Sequence, residues 1–398
     1  MKTIYTRFYG ALALAACLTA GSTGTALAQS ELVLGFLTSE SGPFVSLAKP
    51  NEIAARIALE EINAAGGVNG KKLRLIAFDT AGNPGQTVVG LRKLAEDDKV
   101  LAIIGPLSSS QVTVAAAAGD RAGIVTMSMA SSAPKLVASS KYAMRNTSDE
   151  GYMFERLMST LKSKGIASAT GAVAYANDDV ISRTMGEKVL PALMKKAGVD
   201  VKASVDFKMA AFDLSAQVAQ LKATPTDLVG VGGNPEIAIK LAQELRRQGH
   251  KGRLVAGTTV GDPDLPARMG KDGDGTVIPS TFFADLNNRT KKFAAEFTKR
   301  AKAANFEHTQ ASQFDASTYD IVQYYAWAMK EAKVTGDPKR LVEERTAIRQ
   351  ALGRMKAFPA LEGAISFGAD NDALKPIYIV EARNGKWTLL DTHSAPNN

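Results

Sequence analysis

Short apolar runs alternate with amphipathic helical patterns from residue 32 almost to the end of the chain. The apolar runs are typical of buried strands. They cover residues 32–37, 73–78, 100–104, 124–128, 171–176, 201–207, 227–231 and 253–256. In the clearest helical stripe, Ala55, Ala58, Leu59 and Ile62 occupy positions i, i+3, i+4 and i+7. This alternation predicts an α/β protein.

The last part of the chain, after residue 284, is mostly helical. Helices are predicted over residues 291–305, 319–332 and 338–353, followed by strands 364–367 and 377–382. Helices without strands of their own must pack on an existing sheet, so this part is expected to return to the earlier domains. About 370 residues beyond an N-terminal signal exceed one ordinary core, which predicts two α/β domains.

Two of the predicted strands end in serine-rich turns. The first turn reads Gly105-Pro106-Leu107-Ser108-Ser109-Ser110 and opens an alanine-rich helix, and the second reads Ser128-Met129-Ala130-Ser131-Ser132-Ala133-Pro134. Ligands of open α/β sheets bind beyond the carboxyl ends of the strands. Helix N–H groups and the hydroxyls of Ser109 and Ser110 would therefore converge on an anion, for which a carboxylate is the natural candidate. The alternative is that these serines only cap the helix.

Residues 1–28 have the pattern of an export signal. Basic residues precede an apolar stretch, and Ala26-Leu27-Ala28 provides the small-x-small ending that predicts cleavage before Gln29. The apolar stretch is too short to span a bilayer. A lipid anchor is the second possibility, because Leu14-Ala15-Ala16-Cys17 resembles a lipobox. Cleavage before Gln29 would remove Cys17, the only cysteine, and would leave no thiol chemistry.

Composition argues against several kinds of chemistry. The net charge of +8 falls to +6 when Lys2 and Arg7 are removed with the export signal. Because the basic residues are interspersed with acidic ones, this charge does not favour nucleic-acid binding. The histidines (His250, His308 and His393) are scattered, so no metal site is predicted. Nucleophile-elbow, zinc-protease and Walker motifs are absent, so neither an enzyme nor a cofactor is expected.

The segment Glu60-Glu61-Ile62-Asn63-Ala64-Ala65-Gly66-Gly67-Val68-Asn69-Gly70-Lys71-Lys72-Leu73 resembles a signature of periplasmic binding proteins that serve ABC transporters of the branched-chain amino acid type. The similarity continues through Ile104-Gly105-Pro106, the second serine turn, Gly232-Gly233-Asn234-Pro235-Glu236 and Tyr319-Asp320. It implies the type I fold, in which two Rossmann-like three-layer lobes, joined by three crossover segments, close on a ligand. The implied lobes are residues 29–147 plus 284–358 and residues 148–283 plus 359–398.

The same resemblance implies the residues that hold a ligand carboxylate. In relatives that bind leucine-like amino acids, the matching positions are Ser109, Ala130 and Ser132, the last in place of a threonine. Those relatives also carry a lobe-two glutamate for the ligand ammonium, and Thr258 occupies that position here. Burying an ammonium without a carboxylate costs several kcal/mol, which favours an organic, 2-oxo or aromatic acid that lacks an ammonium group.

An amino acid or amide remains the alternative ligand, because Asp178, Asp179 or Asp262 could supply the missing charge.

Five further residues are candidates for the ligand pocket. Where relatives often carry tyrosines on lobe two, this chain has the apolar Val180 and Ile181 and the amide Asn234. On lobe one, Phe44 and Leu47 follow the first strand and form either an apolar wall of the pocket or interlobe packing.

The expected function is capture of a small carboxylate ligand in the periplasm and its delivery to an ABC permease in the inner membrane. A monomer that performs no chemistry is expected. A receptor or sensor domain remains possible, because the same fold also serves signalling.

Overall fold

The computed structural model describes residues 31–42 and 44–396, without the side chain of Val180. The predicted export signal, with Cys17 and Gln29, lies outside these residues. The strands are β1 (Leu32–Thr38), β2 (Leu73–Asp79), β3 (Ala102–Ile104), β4 (Thr126–Ser128), β5 (Ala143–Arg145), β6 (Thr170–Ala176), β7 (Asp200–Phe207), β8 (Leu228–Gly232), β9 (Arg253–Ala256), β10 (Val277–Ser280), β11 (Phe358–Ala360), β12 (Gly363–Phe367), β13 (Ala373–Leu374), β14 (Ile377–Arg383) and β15 (Lys386–His393).

The helices fall between the strands, as the apolar periodicity predicts. They are α1 (Val45–Ala64), α2 (Pro84–Arg92), α3 (Ser109–Ala122), α4 (Glu150–Ser163), α5 (Val180–Thr184), α6 (Leu190–Lys196), α7 (Ser215–Ala223), α8 (Pro235–Arg247), α9 (Leu265–Met269), α10 (Asn288–Ala303), α11 (Gln313–Glu331) and α12 (Leu341–Arg354). Helix α2 continues through a π-helical turn at Lys93–Asp97, and a second π-helical turn, Met185–Val189, joins α5 to α6. No helix within the described ranges is long and apolar enough to cross a membrane.

Two mainly parallel sheets divide the chain into two lobes. The first sheet has the order β2-β1-β3-β4-β5, with every pair parallel. The second has the order β15-β14-β10-β9-β8-β6-β7, in which β14 and β15 are antiparallel additions at one edge. The α/β class and the two-lobed architecture expected from the sequence are confirmed.

Helices cover both faces of each sheet. In lobe one, Phe36 and Ile104 pack with α1, α10, α11 and α12, while Leu37 and Ile103 face α2 and α3 on the other side. In lobe two, Val231 packs with α7 to α9, and Val173 packs with α4 and α6. Each lobe is therefore a three-layer sandwich, since both faces of each sheet bury apolar side chains.

The third crossover lies later in the chain than we expected. The resemblance implies that residues 359–374 belong to lobe two, but Ile365 and Phe367 pack in the lobe-one core. Arg145 of β5 also pairs with Asp372, with 2.5 Å between Nη2 and Oδ2. The chain re-enters lobe two only between β13 and β14, because the short β11-β12-β13 sheet packs on α11 and not on the second sheet.

A buried ion pair joins the three crossovers. Lys375 Nζ lies 2.5 Å from Glu362 Oε2, and both side chains are fully buried. Glu362 also accepts hydrogen bonds from Asn146 of the first crossover and from Thr281 of the second. Lys375 donates to the backbone oxygen of Asn146 at 2.7 Å. The segments that connect the lobes therefore share one polar network, which holds their positions relative to each other.

Candidate functional site

The two serine turns lie side by side at one edge of the first sheet. Strands β3 and β4 are parallel neighbours, with Ile103 paired to Thr126, so both turns leave the sheet at its carboxyl end. The first turn passes close to β1, because a Cβ on Gly105, whose φ is +90°, would lie 2.5 Å from the Leu37 backbone oxygen. Glycine permits this approach, and the following residues enter α3 directly.

Within the first turn, the serines have different tasks. Ser108 is the N-cap of α3, and its side chain forms a capping box with Gln111. Gln111 also donates to Thr80 at 2.7 Å and to Thr87 at 3.0 Å, which fixes the helix start against the β2–α2 turn. The capping alternative therefore applies to Ser108, while Ser109 and Ser110 occupy the first turn of the helix itself.

The second turn is held by a buried arginine. Ala130 and Ser131 donate their backbone N–H groups to the Ser128 hydroxyl at 3.4 and 3.2 Å. Arg145, fully buried, donates to the backbone oxygen of Ala133 at 2.6 Å while it pairs with Asp372. The turn that presents Ala130 and Ser132 is thus fixed by charge-assisted hydrogen bonds.

On lobe two, Thr258 bonds to a glutamate that sequence reasoning missed. The Thr258 N–H donates to Glu150 Oε1, and its hydroxyl donates to Oε2, each at 2.6 Å. Both residues are buried, with 5% and 4% of their surface exposed. Gly257 makes room for the carboxylate, because a Cβ there would lie 2.0 Å from Glu150 Oε1. Thr258 therefore directs its hydroxyl proton to a protein carboxylate.

Glu150 also connects to the second serine turn. Its backbone N–H donates to the Ser132 backbone oxygen at 3.3 Å. Burial raises the pKa of the Glu150 carboxyl, whereas hydrogen bonds from Thr258 and from the Ser132 side chain lower it. Asp149 next to it raises the pKa further. The structure thus brings the Ser132 backbone of lobe one and Thr258 of lobe two together at Glu150.

The three aspartates considered as alternative charge partners all have hydrogen-bond partners within lobe two. Asp179 caps α5 by accepting from the Ser182 N–H at 2.7 Å. Asp178 accepts from the Met209 N–H at 2.8 Å. Asp262 accepts from the Asp264 N–H at 2.8 Å and pairs with Arg268 at 3.0 Å. Each carboxylate therefore already has a hydrogen-bond partner within lobe two.

The other predicted contacts have mixed environments. Asn234 is the N-cap of α8 and accepts from the Ile237 N–H at 2.9 Å, so its amide oxygen has a structural task. Phe44 is half-buried and packs against the core of its own lobe. Leu47 and Ile181 are 43% and 39% exposed. The side chain of Val180 lies outside the described part of the structure.

A second polar contact joins the lobes at the surface. His308, between α10 and α11, places Nδ1 3.8 Å from Asp262 Oδ2 and 3.9 Å from Asp264 Oδ2. Gln310 donates to Asp264 Oδ1. One potential metal-binding atom from each of Asp262, Asp264 and His308 lies within 4.8 Å of the other two. Arg268 pairs with Asp262, however, and already neutralises part of the negative charge that would attract a metal ion.

This architecture, two α/β lobes with polar turns meeting between them, defines a two-lobed ligand-binding protein. Residues 31–386 match the periplasmic binding protein family, and the chain belongs to that family. An amino acid binding protein of Pseudomonas aeruginosa is 28% identical over 284 residues, which cover 69% of this chain and 73% of that protein.

Solved structures share the fold. The branched-chain amino acid transporter substrate-binding protein LivJ of Streptococcus pneumoniae, in complex with isoleucine, has a TM-score of 0.75 and 22% identity, covering 92% of this chain and 99% of that chain. A solute-binding protein of an ABC transporter from Rhodopseudomonas palustris, in complex with 3,4-dihydroxybenzoic acid, has a TM-score of 0.76 and 18% identity, covering 92% and 98%.

Proposed function

We propose that this protein is the periplasmic substrate-binding component of an ABC transporter and that it captures a small carboxylate-bearing molecule between its lobes. The observation that carries the proposal is the contact between the second serine turn of lobe one, at the Ser132 backbone oxygen, and the buried Thr258–Glu150 pair of lobe two. The export signal predicted for residues 1–28 supports the location. The partner is a permease in the inner membrane, and the protein acts as a monomer that performs no chemistry.

The carboxylate of the ligand is assigned to lobe one. Ser109 and Ser110 lie in the first turn of α3, where backbone N–H groups point away from the helix. An anion is favoured there by these donors and by the helix dipole. The second turn, with Ala130 and Ser132, lies beside it because β3 and β4 are neighbours. Closure of lobe two would then exclude water from the bound group.

An amino acid is the ligand class that the geometry supports best. The sequence favoured an acid without an ammonium group because Thr258 is neutral, but Glu150 provides a carboxylate next to Thr258. A site with an anion-binding helix end on one side and a carboxylate on the other suits a zwitterion. An organic, 2-oxo or aromatic acid is the second candidate, supported by the hydrogen bonds that Asp178, Asp179 and Asp262 already make within lobe two.

Titration calorimetry tests both candidates. The purified protein is unfolded, dialysed and refolded to remove co-purified ligand, and is then titrated with L-amino acids, with the matching 2-oxo acids and with hydroxybenzoic acids. We expect saturable binding of at least one carboxylate probe and no binding of the corresponding alcohols. If the alcohols bind as tightly as the acids, the carboxylate assignment is wrong.

A further inference from the structure

A histidine and two aspartates form a group of potential metal ligands at the surface contact between the lobes. His308 Nδ1 lies 3.8 Å from Asp262 Oδ2 and 3.9 Å from Asp264 Oδ2. The side chains of His308, Asp262 and Asp264 are partly buried, with 30%, 12% and 26% of their surface exposed. Spacing along the sequence does not reveal this group, because the histidine and the aspartates belong to different lobes.

Each of the two loops that carry these residues is anchored in the core of its own lobe. Phe306 and Ala311, on either side of His308, pack in the lobe-one core. Val260 and Leu265, on either side of the two aspartates, are buried in the lobe-two core. The distance between the histidine and the aspartates therefore depends on the positions of the two lobes relative to each other.

Two of the facing atoms have no hydrogen-bond partner among the described residues. Asp264 Oδ1 accepts from Gln310, but its Oδ2 faces only the ring of His308, and their separation of 3.9 Å is too long for a hydrogen bond. The three candidate ligand atoms lie within 4.8 Å of one another. Ligand atoms of a tetrahedral zinc site are about 3.4 Å apart. Modest rotations of these partly exposed side chains would therefore complete such a site.

The charges around the group favour a divalent cation. Arg268 lies 3.0 Å from Asp262 Oδ2, but it lies equally close to Glu236 Oε1. Together with Asp264, three carboxylates thus share one guanidinium, and the cluster keeps an excess of negative charge. An imidazole nitrogen combined with carboxylate oxygens suits zinc and similar transition-metal ions, whereas Ca²⁺ and Mg²⁺ prefer oxygen ligands alone.

We propose that His308, Asp262 and Asp264 bind a transition-metal ion of the zinc class across the two lobes, and that this ion stabilises the closed arrangement. The ion takes one ring nitrogen and two carboxylate oxygens, and Gln310 orients the Asp264 carboxylate. The metal site goes beyond the proposed function. Its effect on ligand affinity rests on that function, because a metal that favours the closed lobes also strengthens the binding of a ligand that favours them.

Calorimetric titration with Zn²⁺ tests the site on the purified protein, prepared without a histidine tag. We expect wild type to bind one ion per molecule and His308→Gln to bind it about 10-fold or more weakly, because even outer contacts of metal sites contribute that much. His393→Gln is the matched control, since His393 Nε2 lies 3.9 Å from a single carboxylate, that of Asp391, within lobe two. It should bind Zn²⁺ like wild type. Thermal unfolding without metal shows whether each variant folds.

Absence of Zn²⁺ binding in wild type, or equal binding by His308→Gln, would overturn the proposal. So would Ca²⁺ that binds wild type as tightly as Zn²⁺, since the carboxylates would then attract any divalent ion without the histidine. In a second titration, Zn²⁺ should raise the affinity of wild type for the tightest carboxylate probe by roughly 5-fold or more, but not that of His308→Gln. An unchanged affinity in wild type would contradict the bridging of the lobes. If no carboxylate probe binds, the proposed function fails, and the Zn²⁺ titration still decides the metal site.

Discussion

Ser108 and Ser109 are adjacent in sequence but differ in role. Ser108 caps α3 through Gln111, whereas the Ser109 side chain makes no hydrogen bond within residues 31–42 and 44–396. Ser109 is half-buried, so its hydroxyl can bond to solvent or to a ligand. The capping interpretation is thus confirmed for Ser108, and the binding interpretation stays a prediction for Ser109.

Replacing Ser109 by alanine should weaken ligand binding without unfolding the helix. A hydrogen bond to a charged group contributes about 1.5–3 kcal/mol, so we expect the dissociation constant of the tightest calorimetric probe to rise by roughly 10- to 100-fold. Ser163→Ala, at the end of α4, is the control, because that hydroxyl only bonds its own helix, to the Thr160 oxygen at 3.0 Å. Equal affinities of Ser109→Ala and wild type would remove Ser109 from the site.

Asp315 is a buried carboxyl with a raised pKa. It lies in the first turn of α11 and accepts from the N–H and hydroxyl of Ser312, while its Oδ1 has no hydrogen-bond partner in the part of the chain that is described. Burial raises its pKa to about 7, against the smaller opposing effect of Ser312. In the folded protein it keeps a proton that the unfolded chain has already lost above its ordinary pKa near 3.8.

The pH dependence of stability follows from that shift. Between about pH 4 and pH 7 the folded state binds one more proton at Asp315, so its contribution to the free energy of unfolding falls by about 1.4 kcal/mol per pH unit. Above pH 7 the contribution no longer changes. Asp315→Asn has no proton to lose, so thermal unfolding from pH 4.5 to 8 should show a weaker decline than wild type. Asp337→Asn changes an aspartate at another helix start, and its stability should decline with pH as steeply as that of wild type. If the stability of Asp315→Asn falls as steeply as that of wild type, the prediction is wrong.

The crossovers depend on the Lys375–Glu362 pair. Removing one partner leaves the other charge buried without compensation, which costs about 3–5 kcal/mol. We therefore expect Lys375→Met to lower the free energy of unfolding by about that amount, measured by urea denaturation. Asp320, which accepts from the Leu361 and Glu362 N–H groups, adds to the penalty because it brings a second buried carboxyl close to Glu362.

The double variant Lys375→Met with Glu362→Gln separates charge from packing. It removes both charges and should recover much of the lost stability, since uncharged replacements of buried pairs are often tolerated. A surface pair such as Lys93–Asp98, whose Lys93 side chain is 50% exposed, provides the comparison, and Lys93→Met should change stability little. A double variant as unstable as Lys375→Met would show that the charge imbalance is not the cause.

Most elements were predictable because their apolar patterns are strong, and the exceptions have physical causes. Strand β10 was missed because it is short and contains Pro279, which normally argues against a strand. Residues 359–374 were assigned to the wrong lobe because their strands are too short to show which core they join. Glu150 follows Asp149 at a helix start, where acidic residues are common, so nothing in the sequence distinguished it from a surface residue.

Within the described residues, two polar contacts join the lobes, a deep one that is buried and another at the surface. In the deep contact, Glu150 bonds to Thr258 and to the Ser132 backbone oxygen. Gln313 of α11 adds to this contact, because its Nε2 lies 3.5 Å from the Thr258 backbone oxygen. At the surface, Gln310 of lobe one donates to Asp264 of lobe two, and His308 lies beside the same carboxylates. The surface contact would stabilise the closed lobes once a ligand has bound.

Gln310→Glu should therefore increase the rate of ligand release. The new carboxylate would lie against Asp264, and Asp262 is close by, so like charges would repel across the lobes only when these are closed. We expect the dissociation rate of the tightest calorimetric probe, measured by stopped flow, to rise several-fold while its association rate changes little, because affinity differences among related complexes reside mostly in dissociation. Added salt should reduce the effect, since the contact is partly exposed.

Gln350→Glu places the same charge on an exposed position of α12 and should leave release unchanged. If Gln310→Glu releases the probe at the wild-type rate, the surface contact does not hold the lobes closed, and the deep contact at Glu150 alone would have to do so.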